Sequence, residues 1–301
     1  MLGPTIALLC ALCWSISLIL LKTAGAQVHP IVLNLGKNVL GLLLFIPTVY
    51  LVEGGIPTNI SFDHYTLLLI SGFIGIGIAD ALTLRSMTYL TATGVALLEC
   101  LFAPFVIILS IMFLGESLSL QQGIGGLLIA VALFFVLPKE QSQPAQADQP
   151  ASSHSSRKPL WGVVLMGLGL FTMAVGIIMI KPVYEHVPLF SIITIRMAAG
   201  VLGSILVFAL FPGRRLMLAE LWHAPNKLLV YSAFITSSYI AITLWIAGYK
   251  YLQASVAAVL NQTSTIFTVI LAVVILKEQV TLKKVVATLL ATAGVIIISV
   301  H

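Results

Sequence analysis

Five ionisable residues stand inside otherwise apolar runs of this chain: Lys37, Asp80, Arg85, Glu99 and Arg196. A charge at membrane depth is costly and marks a pathway, a proton relay or an ion pair. Arg85 lies seven residues before Ala92, the expected apex of a turn, and Glu99 seven residues after it. At 1.5 Å rise per residue both fall at one depth, within about 10 Å of that turn. This spacing predicts an ion pair between Arg85 and Glu99, which either fixes the hairpin or takes part in substrate or proton coupling. Asp80 lies five residues deeper than Arg85. There it suits proton binding and release, or else it neutralises Lys37 or Arg85. Lys37 and Arg196 each sit seven or eight residues into a helix that follows a proline, Pro30 or Pro188, and Asn34 and Asn38 flank Lys37. Two basic residues near the mouths of a central cavity would attract carboxylates; snorkelling of both side chains to the interface is the plainer alternative.

A second polar set, Ser237, Ser238, Tyr239, Trp245, Asn261, Gln262, Thr263 and Thr265, interrupts two further apolar runs. Small hydroxyl residues serve helix packing in membranes, so Tyr239, Asn261 and Gln262 are the stronger candidates for ligand contact, joined by Trp14. Cys10 and Cys13 form a C-x-x-C within an apolar helix with no further Cys or His beside it, which reads as packing. The six histidines fall in loops, a linker and the terminus. With no phosphate loop, H-E-x-x-H or G-x-S-x-G motif, no catalytic residue, metal or cofactor is expected.

The elements that must position these residues follow from composition. Of 301 residues, 59% are hydrophobic and 8% charged, with a mean hydropathy of +1.11. Soluble domains carry roughly 25% charged residues, so the chain is expected to be an all-α, multi-pass integral membrane protein. Apolar runs near 4–21, 30–51, 65–88, 93–113 and 121–137, then 160–180, 190–212, 228–249, 254–276 and 284–300, give ten transmembrane helices. Between the sets, 138–159 is rich in Pro, Ser, Gln and Ala and reads as a flexible linker. Ala24-Gly25-Ala26 resembles a cleavage site, but no positive segment precedes the first run, which is expected to be retained. The net charge of +5 speaks to topology and lipid headgroups and implies no nucleic acid.

The halves resemble each other. Shifted by 162, YLTATGVALLECLFAPF (Tyr89–Phe105) lies over YLQASVAAVLNQTSTIF (Tyr251–Phe267), and Glu116 falls on Glu278. A shift of 159 places Lys22 and Lys37 over Lys181 and Arg196, whereas under the shift of 162 Arg85 and Glu99 fall on Ala247 and Asn261. Five helices is an odd number, so residues 1–137 and 160–301 are expected to form two inverted repeats, with a substrate site near the midplane between them. Counting Lys and Arg in the connecting segments gives ten on the linker side and two, Lys181 and Lys250, on the other. That count places the linker in the cytoplasm.

This pattern, with Gly115-Glu116 and Lys277-Glu278 ending the fourth and ninth helices, resembles the EamA type of the drug/metabolite transporter superfamily. Gly77-Ile-Ala-Asp80-Ala followed by Ala103-Pro104-Phe105 is similar to one bacterial branch. The resemblance implies a bacterial inner-membrane carrier for small metabolites, amino acids, sugars or organic cations, and cytoplasmic termini against the charge count. The expected function is secondary transport of a small polar metabolite by alternating access, with proton-coupled efflux as one form of it, by a monomer or homodimer. A non-transporting regulator or partner subunit is the alternative.

Overall fold

The computed structural model describes residues 2–115, 158–278 and 282–299, with scattered positions between 121 and 131. The expected fifth helix lies largely outside the described residues. So do Glu116 and all of the expected linker except Lys158 and Pro159, which already belong to a helix. Every described element is helical, as a chain must be where lipid offers its backbone no hydrogen bonds.

The first half contains α1 (Leu2–Ala24) and α2 (Pro30–Glu53), followed by two interrupted spans. The third span is α3 (Phe62–Gly72), a π-helical turn (Phe73–Ile78) and α4 (Ala79–Ser86); the fourth is α5 (Ala92–Glu99) and α6 (Phe102–Leu114). The second half contains α7 (Lys158–Met179), α8 (Leu189–Leu210) and the short α9 (Arg214–Trp222). It continues through α10 (Lys227–Ile235), a π-helical turn (Thr236–Ala241) and α11 (Ile242–Tyr251) to α12 (Ala254–Asn261), α13 (Ser264–Leu276) and α14 (Leu282–Ser299). Among the described residues seven helices are long and apolar enough to cross a membrane, and α13 is a shorter apolar helix.

Irregularities recur at matching places in the two halves. The π turns start 163 residues apart at Phe73 and Thr236, and the helix breaks fall after Glu99 and Asn261, which differ by 162. Gly115 (φ 68°) ends α6 and Lys277 (φ 54°) ends α13, both in the left-handed conformation. Lys277 is the one non-glycine residue there among the described residues, at a steric cost that glycine avoids. Lys22 Nζ donates to the carbonyls of Met87 and Leu90, and Lys181 Nζ to those of Tyr249 and Leu252 at 2.7 and 2.6 Å. Each ammonium thus satisfies orphan carbonyls at the end of a third-type span.

Two carboxylates do the converse at helix starts. Glu278 accepts from the backbone N–H of Ala92 (2.7 Å) and Thr93 (3.2 Å) and from the Thr93 hydroxyl (2.6 Å). Glu53 accepts from the N–H of Phe190 (2.7 Å) and Ser191 (2.8 Å) and from the Ser191 hydroxyl (2.7 Å). Each links the two halves through donors that the first turn of a helix leaves unused.

The third span packs against α8 at near backbone contact. A Cβ on Gly72 would lie 2.2 Å from the Arg196 carbonyl oxygen, and one on Gly77 would lie 2.7 Å from Gly203 Cα. Only glycine admits this approach. On the other side α1 packs against α11, α12 and α13, and α4 against α7, leaving a space between the halves.

Candidate functional site

That space is a central cavity in two adjoining lobes with about 400 and 650 Å³ of empty volume, open ends included. Trp14, Glu99, Leu170, Met173 and Trp245 line both lobes. Cys10, Phe102, Asn261, Gln262 and Ser264 complete one, and Lys37, Asp80 and Ser237 belong to the other. The mostly apolar wall with a few convergent polar groups is of the kind that takes a small-molecule ligand.

The π turn aims Asp80 at α2. Lys37 Nζ lies 2.5 Å from Asp80 Oδ2 and donates to Asn38 Oδ1 at 3.0 Å, with side-chain exposures of 6% for Lys37 and 11% for Asp80. Among the described residues this is the one ion pair. The Asn38 amide donates to Ser204 Oγ (2.9 Å) and to the Ile76 carbonyl (3.3 Å), while the Asn34 amide donates to the Gly77 carbonyl and Ser204 Oγ, both at 3.1 Å. Asn34 and Asn38 therefore brace the pair and tie α2 to the third span and α8.

Glu99 closes α5 at the break in the fourth span. The Trp14 indole donates to Glu99 Oε1 at 3.1 Å, and Glu99 Oε2 is buried without a partner. Gln262 Nε2 donates to the Glu99 backbone carbonyl at 3.0 Å, joining the fourth span to its counterpart, and both amide atoms of Asn261 are buried and unpartnered. Trp14 stacks on Trp245 with ring centroids 6.5 Å apart, and Phe102 lies 6.1 Å from Trp245.

The expected ion pair between Arg85 and Glu99 is not formed. Arg85 Nη1 lies 3.2 Å from His29 Nε2, and its guanidinium sits 5.5 Å from the centre of the Phe211 ring. Equal depth was read from helical rise, which does not fix direction around the bundle: Arg85 faces His29 and Phe211, whereas Glu99 faces Trp14. The expectation of two basic cavity mouths is corrected as well: Lys37 is neutralised by Asp80, and Arg196 is fully buried behind Gly75 with its Nε donating to Ser71 Oγ at 3.1 Å. Tyr239 packs on Phe45 and shares a 2.8 Å hydrogen bond with Thr48. Of the candidate residues, the cavity gathers Trp14, Lys37, Asp80, Glu99, Asn261 and Gln262.

The sequence profile of the EamA-like transporter family matches residues 1–137 and 160–300, nearly the whole chain. The chain belongs to the EamA-like transporter family. One solved crystal structure is similar over 99% of this chain and 97% of its own, at 16% identity and a TM-score of 0.70, which establishes a shared fold. No curated protein matches the chain. This EamA-like protein is therefore a multi-pass membrane transporter. Its cavity wall includes Phe102, Leu170 and Met173, which carry no signal in the sequence because they are apolar residues within apolar runs.

Below the cavity a further recess is lined by Lys22, Gly25, Pro30 and Thr88 and shares Leu21, Leu84 and Met87 with the Lys37 lobe. Beside it, His29 N donates to Glu220 Oε2 at 2.8 Å. Burial first, and then the Arg85 guanidinium, hold the His29 ring below the ordinary imidazole range, with Glu220 pulling the other way. The neutral ring accepts a hydrogen bond from Arg85, an arrangement that a protonated ring would oppose.

Proposed function

We propose that this transporter carries a small polar metabolite by alternating access through the cavity between its halves, as a bacterial plasma-membrane carrier of ten helices in two inverted repeats. The observation that carries the reading is a cavity walled by both halves, with Lys37, Asp80 and Glu99 from one and Leu170, Trp245 and Asn261 from the other. Opening such a cavity to either side requires only that the halves rock about it. The recess that shares Leu21, Leu84 and Met87 with the cavity gives an entry path on the side of the turn after Ser86.

The repeat is supported by the lysine pair. Lys22 caps the third span at the turn after Ser86, and Lys181 caps its counterpart at the turn after Tyr251. In the proposed arrangement of five helices per half, these turns would face opposite sides. Asp80 and Glu99, two carboxylates on one cavity, are the candidates for proton coupling.

The test is flux into sealed vesicles containing the purified protein, over amino acids, organic acids, sugars and amines. Saturable uptake that is lost in Trp245→Ala is expected; no saturable flux for any solute class overturns the reading. Proton coupling is refuted if transport keeps its pH dependence in both Asp80→Asn and Glu99→Gln.

A further inference from the structure

We propose that the ligand of this cavity is a monocation, an ammonium with an apolar body and a neighbouring hydrogen-bond acceptor, seated on Glu99 between Trp14 and Trp245. The inference rests on the reading of the cavity as the transport site and names the chemistry of what it takes.

The argument is a charge count on the cavity wall. Its two lobes hold three charged residues, Lys37, Asp80 and Glu99. Lys37 and Asp80 pair at 2.5 Å in one lobe, with the Arg196 guanidinium behind Gly75, whereas Glu99 is the one charged residue lining the lobe of Phe102 and Asn261. Trp14 supplies a single hydrogen bond to Oε1, and Oε2 is buried with nothing to accept from. A buried carboxylate without a partner is unfavourable as an anion until a proton or a cation meets it. The surrounding rings supply what a cation needs besides the carboxylate: the stacked Trp14 and Trp245, with Phe102 beside them, offer aromatic faces at which positive charge is attracted. In this lobe an anion would meet a like charge and no lining base.

Asn261 sharpens the class. Its amide lines the Glu99 lobe with both atoms buried and unpartnered, one a donor and one an acceptor. An ammonium N–H can satisfy the amide oxygen while a carbonyl or hydroxyl close to the ammonium takes the amide N–H. The rest of the lobe, including Leu170 and Met173, accommodates an apolar body.

Calorimetric titration of the detergent-purified protein at about pH 6, below the α-amino range, with three probes of one shape tests this: phenylalaninamide as the monocation, 3-phenylpropionamide as its neutral counterpart and 3-phenylpropionate as the anion. The monocation is expected to bind, with the neutral and anionic probes weaker by roughly tenfold or more, and Glu99→Gln is expected to abolish that preference. Equal binding of the neutral probe, tighter binding of the anion, or no heat from any probe overturns the proposal. If Glu99→Gln does not fold, the three probes on the unaltered protein carry the test alone. Vesicle flux is read separately. Binding of the monocation without flux keeps the site and removes the transport reading, whereas saturable flux of an anion without monocation binding does the reverse.

Discussion

Lys37 and Asp80 meet at 2.5 Å across two spans, with Asn34, Asn38 and Ser204 hydrogen-bonded around them, in a part of the bundle where both side chains are largely buried. Removing one partner of such a pair strands the other. Lys37→Met or Asp80→Asn alone is expected to lower stability by roughly 3–5 kcal/mol, while Lys37→Met combined with Asp80→Leu recovers most of it. Thermal unfolding in detergent reads this as a double-mutant cycle. A double variant as unstable as the sum of the singles would show that the two groups do not act as a pair.

Glu278 takes three hydrogen bonds from the first turn of α5, two of them backbone N–H groups with no helical partner. Glu278→Ala is expected to cost about 1–2 kcal/mol, the upper range for a helix cap, while Glu278→Gln, which keeps one acceptor oxygen, costs less. Equal melting temperatures for Glu278→Ala and the parent would remove the carboxylate from the account of this interface.

Lys277 holds a left-handed backbone at φ 54°, the position that Gly115 fills in the first half. Lys277→Gly relieves the contact between Cβ and the following carbonyl but loosens the unfolded chain, so the net expectation is a gain of roughly 0.5–1 kcal/mol. A lower melting temperature for Lys277→Gly would contradict it.

His29 gives the bundle a pH response. Its folded proton affinity is lowered, so the unfolded chain takes up the proton first as the pH drops. Its stabilising contribution is full above the ordinary histidine value of about 6.5, declines as the pH falls through that value, and levels off below the lowered folded value. Melting temperatures of the parent and His29→Gln, compared from about pH 8 to about pH 5, are expected to converge on acidification. A constant gap between the two curves would exclude His29 as the responsible group.

Much of this protein was determined by its sequence alone. The apolar runs set the spans because lipid leaves the backbone no other partners. The internal similarity marked two halves, and the lysines it aligned, Lys22 and Lys181, make matching contacts in the structure. The rarity of charge in those runs picked out Lys37, Asp80 and Glu99, which do line the cavity. Depth was legible because each residue rises about 1.5 Å along a helix. Direction around the bundle was not. A π turn inserts an extra residue and rotates everything after it by about 100°, so Asp80 reached Lys37 while Arg85 swung to His29 and Phe211. Local sequence fixes how far along a span a residue sits. Which neighbour it faces depends on helix rotation and on close approaches such as Gly72 to Arg196, and only packing of the whole bundle decides those.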